Sequence, residues 1–220
     1  MVHPPQPRAE RETVTLRDGT QVIIRGIRPD DAPRLQDLFH RLSPESIYFR
    51  FLGRPKDLPL AQAERLANVD CEQCMAFVAT HGRDDVRDII AVARYAQVAG
   101  RPGLAEAGVV VEDQYQGRGL GTLLLKRLTA YAREHGVQAF YASVHPANNQ
   151  ILRFIQRSGL PTESRLEAGV WEMHVYLDRG GEKESDAGHP DGGHPDGGHP
   201  DGGHSAAGHL DAAQDGVGEV

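Results

Sequence analysis

A glycine-rich turn between a strand-like run and a helix-like run limits the folds open to this 220-residue chain more than any other feature. Residues 109–111 are three valines, and Gly117, Gly119 and Gly121 follow before an apolar helical stripe that runs to Gly136. Because glycine has no Cβ, such a turn can approach an anion closely, and the unpaired amides of the helix's first turn point at that anion. The sequence therefore predicts a strand, a turn and a helix that together bind phosphate.

The turn differs from the two commonest phosphate-binding motifs. A P-loop needs Lys followed by Ser or Thr, which is missing at the required offset, and the dinucleotide pattern fails at Thr122, where a glycine is needed. Arg118 offers one cationic contact to an anion. A tight turn whose glycines serve only packing remains the alternative interpretation.

Hydrophobic periodicity predicts the elements around this turn. Asp18-Gly19 between two short alternating runs, residues 13–16 and 21–25, indicates a β-hairpin. Helices are predicted over residues 29–42, just after Pro44, over 60–68, after the glycine turn, and after His145. Strands are predicted at 75–79, 89–98, 105–111, 139–144, near Leu166 and at 170–177. A turn is predicted at Asp84-Asp85. This order favours an α/β fold in which helices cover a mixed sheet.

Three segments are predicted along the chain: a flexible N-terminus over residues 1–12, one domain over 13–179, and a tail over 180–220. The tail is rich in Gly, His, Asp and Pro, repeats GHPDG, and has no apolar face, so we expect it to be disordered. Its histidines recur every five residues from His189 to His209. Zinc or nickel binding by this series and a merely solvated tail both remain open.

Composition excludes several classes of partner. A net charge of −7 argues against nucleic acid, which is bound by clustered Lys and Arg. The first residues lack the apolar core of a signal peptide, and no apolar run approaches the roughly 18 residues of a membrane span, so a cytoplasmic location is expected. Cys71 and Cys74 have the spacing of half a zinc site but lack a second pair, and we expect two reduced thiols and no metal.

The segment Gln116-Gly117-Arg118-Gly119-Leu120-Gly121 resembles motif A of the GCN5-related N-acetyltransferase (GNAT) superfamily, Gln/Arg-x-x-Gly-x-Gly/Ala. The stretches AEAGVVVEDQYQGRGLGTLLLKRL, IRGIRPDDAPRL and LSPESIYFRF and the later Asn148 resemble its bacterial protein lysine acetyltransferase branch. The resemblance covers about residues 13–177. It implies the GNAT fold, a mixed and mostly antiparallel sheet of about seven strands that splays after the fourth, and acetyl-CoA as cosubstrate.

The resemblance also implies where acetyl-CoA binds. Its pyrophosphate is expected at the turn and first helical residues: Gln116, Gly117, Arg118, Gly119, Leu120, Gly121 and Thr122. Backbone groups of Val110 and Val111 are expected to hold the pantetheine arm, with help from Asn148. The amide of Val111 is expected to stabilise the tetrahedral intermediate, because preorganised donors act where charge develops.

Acetyl transfer needs an uncharged amine, whereas a lysine with a pKa near 10.4 is protonated at neutral pH. Glu106 matches the general base of the lysine acetyltransferase branch, often acting through water, and burial beside an apolar strand would help it to hold the proton. A solvated carboxylate at a strand end is the alternative, and Glu112 is a weaker candidate. The helix position of the superfamily's tyrosine acid is occupied by Ile155, which leaves the acid unassigned.

The first functional interpretation is transfer of an acetyl group to a protein lysine, with a metabolic enzyme such as an acyl-CoA synthetase as the implied class of substrate. The second is acetylation of a small amine or antibiotic, which uses the same cosubstrate site. The third is a non-catalytic acyl-CoA-binding or metal-binding protein. Many relatives carry a nucleotide-sensing or acyl-CoA-synthetase-like domain on the same chain, and no such domain is expected here.

Overall fold

The computed structural model of the chain describes residues 11–83 and 86–178. The predictions for the first ten residues, for the turn at Asp84-Asp85 and for the tail over 180–220 lie outside this part. In the described part, no helix has the length and apolar character needed to cross a bilayer.

Within residues 11–83 and 86–178, eight strands form one sheet, and their bounds follow the apolar runs of the sequence. They are β1 Glu12–Thr15, β2 Gln21–Gly26, β3 Cys74–Arg83, β4 Val86–Gln97, β5 Leu104–Val111, β6 Ala139–Val144, β7 Thr162–Glu167 and β8 Val170–Tyr176. The order across the sheet is β1-β2-β3-β4-β5-β6-β8-β7. Every neighbouring pair is antiparallel except β5 and β6, which are parallel. The predicted fold class, a mixed and mostly antiparallel sheet, is confirmed.

In the part of the chain that the structure describes, five α-helices flank the sheet: α1 Ala32–Arg41, α2 Pro44–Phe51, α3 Leu60–Ala67, α4 Leu120–Glu134 and α5 Asn149–Ser158. The predicted helix over residues 29–42 begins as a single 3₁₀ turn, Pro29–Asp31, before α1. Helix α2 begins at a serine cap, because the Ser43 hydroxyl accepts a hydrogen bond from the Ser46 amide at 3.1 Å. Helix α4 ends where Gly136 takes a φ of +77°.

The two faces of the central strands are covered by different helices. Leu120, Leu124 and Leu128 of α4 are fully buried, and the α4 residue Tyr131 contacts the ring of Phe77 on β3 at 5.8 Å. Helices α1 to α3 cover the opposite face, since α1 packs on β4 and α2 packs on β5. The site therefore lies in a sheet whose faces are each closed by helices.

The strand count differs by one from the expected seven, because the N-terminal hairpin adds β1 at one edge of the sheet. The predicted hairpin is confirmed, with Thr15 opposite Gln21 across its turn. The separation of strands consequently follows the fifth strand of this chain instead of the fourth.

Candidate active site

The sheet opens between β5 and β6. These strands pair only at Leu104 with Ala139, Ala105 with Phe140 and Glu106 with Tyr141. Beyond that point β5 continues to pair with β4, and β6 with β8. The two strands therefore present facing edges across a gap, which we call the β5–β6 gap.

The register shows which backbone groups of β5 face the gap. The Glu112 amide donates to the Ile90 carbonyl of β4 at 2.8 Å. Bonded and non-bonded pairs alternate in an antiparallel ladder, so Val110, two residues earlier, also directs its amide and carbonyl towards β4. Val109 and Val111 direct theirs to the gap. The backbone groups of Val110 are therefore used in the sheet, whereas those of Val109 and Val111 face the gap.

The glycine turn at the end of β5 has the geometry of an anion site. Gly117 and Gly119 have φ angles of +74° and +89°, in the left-handed region that favours glycine. The first cap bond of α4 runs from the Leu123 amide to the Gly119 carbonyl at 3.0 Å. Within the described chain, the backbone amides of Gly119, Leu120, Gly121 and Thr122 donate no hydrogen bond to the residues before α4. These amides lie at the positive end of the helix dipole, where they can donate to an anion.

Two side chains of the turn are used to hold it in place. The side-chain nitrogen of Gln116, Nε2, donates to the Val111 carbonyl and the Ser46 hydroxyl, both at 3.0 Å. Arg118 pairs with Asp18 of the β1–β2 hairpin and donates to the Gln114 carbonyl at 2.6 Å. The Arg118 guanidinium therefore positions the turn, and the predicted contact of Arg118 with an anion stays a prediction.

Arg17 lies beside the turn and was missed by sequence reasoning. A Cβ on Gly119 would lie 3.6 Å from Arg17 Nε, so the guanidinium faces the glycine turn. Among residues 11–83 and 86–178, no carboxylate pairs with Arg17. Its position next to the hairpin signal Asp18-Gly19 was visible, but the sequence does not show that this hairpin docks on a turn about 100 residues later.

Asn148 lies on the other side of the gap, at the start of α5. Its side-chain oxygen accepts a hydrogen bond from the Ile151 amide at 3.3 Å and caps the helix. Gln150, two residues further on, donates to the Gln116 side-chain oxygen at 3.0 Å. The side-chain NH₂ of Asn148 remains available, which suits the predicted contact with the pantetheine arm.

Glu106 lies where β5 and β6 separate, opposite Tyr141 in the parallel pair. Its side chain is exposed, so the burial that we expected for it is wrong. The reason is that only a short part of β5 is covered by β6, and Glu106 is the last paired residue. An exposed carboxylate at the mouth of the gap can reach water, as a base acting through a water molecule requires.

Glu112 occupies a different environment. It is 4% exposed and accepts a hydrogen bond from Arg41 Nε at 3.1 Å, and Gln114 donates to its other oxygen. These contacts join the end of β5 to α1. Both oxygens of Glu112 are thus occupied by structural partners, which makes it unsuited to the role of base.

Helix α2 is fixed to both sides of the gap. At its start, Asp113 accepts hydrogen bonds from the Ser43 and Ser46 hydroxyls at 2.6 and 2.8 Å. Burial acts to raise the pKa of Asp113, but these hydrogen bonds hold it below its usual value. Further along, Tyr48 and Phe49 lie 5.2 and 5.8 Å from the ring of His145, which follows β6. The helix therefore spans the gap on the face opposite α4.

Arg50 of α2 packs directly on β5. A Cβ on Gly108 would lie 3.0 Å from Arg50 Cζ, so only glycine leaves room for this guanidinium. Burial, and to a smaller extent the charge of Arg94, lower the pKa of Arg50 to about 10, while the charge of Glu106 acts in the opposite direction. Arg50 therefore stays protonated at neutral pH, close to the carboxylate proposed as base.

The remaining candidates do not contribute to this site. Cys71 and Cys74 are free thiols, and burial raises the pKa of both. Ile155 is buried with Val144 and Met173 and can donate no proton. In the described ranges, no three His, Cys, Asp or Glu side chains lie close enough to hold a metal ion.

Comparison with known proteins identifies similar chains. A family model described as Acetyltransferase (GNAT) family matches residues 35–160. The Pseudomonas aeruginosa protein Acetyltransferase PA5475 is 37% identical over 139 residues, which cover 63% of this chain and 74% of that protein. Acetyltransferase Pat of Mycolicibacterium smegmatis is 32% identical over 146 residues, 66% of this chain. That match covers 43% of Pat, so this chain spans less than half of that relative's length.

The solved structures agree with the sequence relatives. The GNAT domain of S. lividans PAT is similar with a TM-score of 0.68 and 32% identity, over 76% of this chain and 96% of that domain. The resemblance to the Pat-like branch is thereby confirmed.

Proposed function

Because this chain belongs to the GNAT family of acetyltransferases, we propose that it transfers the acetyl group of acetyl-CoA to the side-chain amine of a protein lysine. The observation that carries this proposal is the β5–β6 gap, which has backbone groups of Val109 and Val111 along its edge, a glycine turn at one end and Glu106 at the other. Similarity to the Pat proteins supports lysine as the acceptor. We also propose the cytoplasm as the location, since free thiols suit a reducing compartment.

The residues present fit acetyl-CoA, which supplies the thioester-bound acetyl group. The amides of residues 119–122 are donors of the kind that bind pyrophosphate, and Arg17 adds a positive charge beside them. The gap-facing groups of Val109 and Val111 can pair with the amides of the pantetheine arm as a neighbouring strand would. Asn148 adds a donor from the opposite side.

Glu106 provides the base in this proposal. The lysine ammonium must lose a proton before its nitrogen can attack, and Glu106 accepts that proton through water at the mouth of the gap. The proton then leaves to solvent, because the side chain is exposed. A positioned base of this kind typically contributes 10²- to 10⁴-fold to the rate.

Backbone amides stabilise the negative charge that develops on the acetyl oxygen. Of the two amides that face the gap, that of Val109 lies nearer to Glu106 along β5, so we assign it the role that the sequence suggested for Val111. Val111 then holds the pantetheine arm. The leaving thiol resembles cysteine, with a pKa near 8.5, and it can depart as a thiolate without an enzymatic acid.

The test of this function is release of coenzyme A from acetyl-CoA in the presence of two acceptor panels. One panel contains lysine-bearing proteins and peptides, and the other contains small amines without a carboxylate, including aminoglycosides. We expect turnover with lysine acceptors and only background release with the small amines. Faster turnover with the small amines would mean that the acceptor is a small amine and not a protein lysine. Binding of acetyl-CoA without turnover on either panel would mean that the protein is non-catalytic.

Replacement of Arg17 tests the cationic contact to the phosphates. We expect Arg17→Gln to raise the Kd for acetyl-CoA about 3- to 10-fold at low salt, because a partly exposed charge makes a modest and screened contribution. Calorimetry at two salt concentrations measures the effect, which should shrink at high salt. Arg11→Gln removes the same charge from the far end of β1 and serves as the control. Equal changes in both variants would mean that only net charge matters.

A further inference from the structure

Arg50 holds a guanidinium inside the fold without an acidic partner. The side chain is half-buried between Gly108 and its own neighbour Phe51, whose ring centroid lies 5.2 Å from Arg50 Cζ. Throughout the described residues, no group forms a hydrogen bond or ion pair with it. A guanidinium has five N–H donors, and a half-buried one is costly unless something pairs with it. The missing partner points to a ligand.

The surrounding charges leave a positive excess. Arg94 of β4 lies directly opposite Gly108, and its nearest acceptor is the Leu66 carbonyl, at 3.5 Å. Glu106 is diagonal to Arg94 across the same strand pair, a relation that places Cα atoms roughly 7–8 Å apart. No ion pair joins Glu106 to either arginine among the described side chains. Two cations thus face one carboxylate, and one positive charge remains uncompensated.

The sheet face decides which substrate meets this charge. Gly108 and Glu106 alternate with Val109, so they project to the face covered by α2, whereas Val109 and Val111 project towards α4. The phosphate-binding turn leads into α4, so the donor's phosphates lie at the α4 side. The base Glu106 and the guanidinium of Arg50 share the other side, from which the acceptor amine must approach.

We propose that Arg50 binds a carboxylate of the acceptor, so that preferred acceptors carry a carboxylate about one lysine side chain away from the reacting amine. This inference rests on the proposed acetyl transfer at Glu106. The planar fork of Arg50 suits bidentate pairing with a carboxylate. Two sources offer that chemistry: the α-carboxylate of a C-terminal lysine, or the side chain of an Asp or Glu next to the lysine.

Matched acceptor pairs test the inference with acetyl-CoA as donor. The pairs are 6-aminohexanoate against its amide, N-acetyl-Gly-Lys against its C-terminal amide, and N-acetyl-Glu-Lys-amide against N-acetyl-Gln-Lys-amide. We expect kcat/KM to be about 10- to 100-fold higher for the carboxylate member of at least one pair, the scale of a lost charge-assisted hydrogen bond. The first two pairs report the α-carboxylate, and the third reports an acidic neighbour.

Variants assign the preference to Arg50. Arg50→Gln should reduce the carboxylate-to-amide ratio to near one while leaving the Kd for acetyl-CoA unchanged, and Arg50→Lys should restore part of it. Arg54→Gln removes an exposed arginine near the end of the same helix, 5.7 Å from the Tyr48 ring centroid, and should keep the parent ratio. Melting temperatures of all variants verify folding. The carboxylate-to-amide ratio of the parent protein tests the inference even if a variant fails to fold.

Several outcomes would overturn the inference. The first is a carboxylate-to-amide ratio of kcat/KM near one for every pair in the parent protein. The second is an equal loss of kcat/KM for both members of each pair in Arg50→Gln. The third is that Arg50→Gln loses transfer from succinyl-CoA selectively and keeps transfer from acetyl-CoA. The last would place the carboxylate on the acyl group. If 6-aminohexanoate is preferred over its amide but no protein lysine is acetylated, the carboxylate subsite stands and the protein acceptor is wrong.

Discussion

Glu106→Gln should lower turnover about 10²- to 10⁴-fold at pH 7 while leaving the affinity for acetyl-CoA unchanged. The substitution keeps the size of the side chain and removes the proton acceptor, whereas the glycine turn and the gap-facing edge of β5 are untouched. The measurement is steady-state kinetics with one lysine peptide, together with calorimetry on acetyl-CoA.

The pH dependence separates loss of a base from structural damage. A lysine amine with a pKa near 10.4 becomes increasingly neutral as pH rises, so the variant should recover activity towards pH 9 to 10 faster than the parent. Glu112→Gln provides a contrast, because it loosens the contact with Arg41 and should lower the melting temperature without this pH signature. Nearly equal rates for Glu106→Gln and the parent at pH 7 would remove Glu106 from the mechanism.

Gly119→Glu should weaken acetyl-CoA binding at least about 100-fold. A side chain at this position must adopt a φ near +89°, which strains any residue other than glycine, and its Cβ would point towards Arg17. The new carboxylate would neutralise Arg17 and repel the phosphates from the free amides of the turn. Calorimetry with acetyl-CoA measures the loss.

Gly119→Gln is the matched control, since it introduces the same strain and nearly the same bulk without the charge. We expect an intermediate affinity for this variant, and the difference between the two variants reports the electrostatic part. Circular dichroism establishes that both fold. Undiminished affinity in a folded Gly119→Glu protein would mean that the phosphates bind elsewhere.

The parts of the fold that the sequence predicted are those with a strong local signal. The Asp18-Gly19 hairpin, the apolar stripe of α4 and the strand over residues 139–144 are encoded by neighbours in the chain, and each was found close to its expected bounds. The glycine turn belongs to the same class, because its glycines stand next to the strand and helix that they join.

The features that the sequence did not reveal depend on distant contacts. Arg17 lies near the turn because the hairpin docks beside Gly119, and Arg50 lies on β5 because α2 packs on Gly108. Hydrophobic periodicity does not predict either contact, because the residues are far apart in the sequence. The choice between Val109 and Val110 required the register of β5 against β4, which a run of three valines cannot specify. The exposure of Glu106 followed from the early separation of β6.

The β5–β6 gap has a consequence for how long the protein survives in a cell. Strand edges with unpaired amides and carbonyls invite pairing with other chains, and in the binding mode that we propose the pantetheine arm occupies this edge in place of a strand. A ligand that binds only the folded state at 100 times its Kd adds about 2.7 kcal/mol to the free energy of unfolding. Resistance to proteolysis should therefore rise with the concentration of acetyl-CoA.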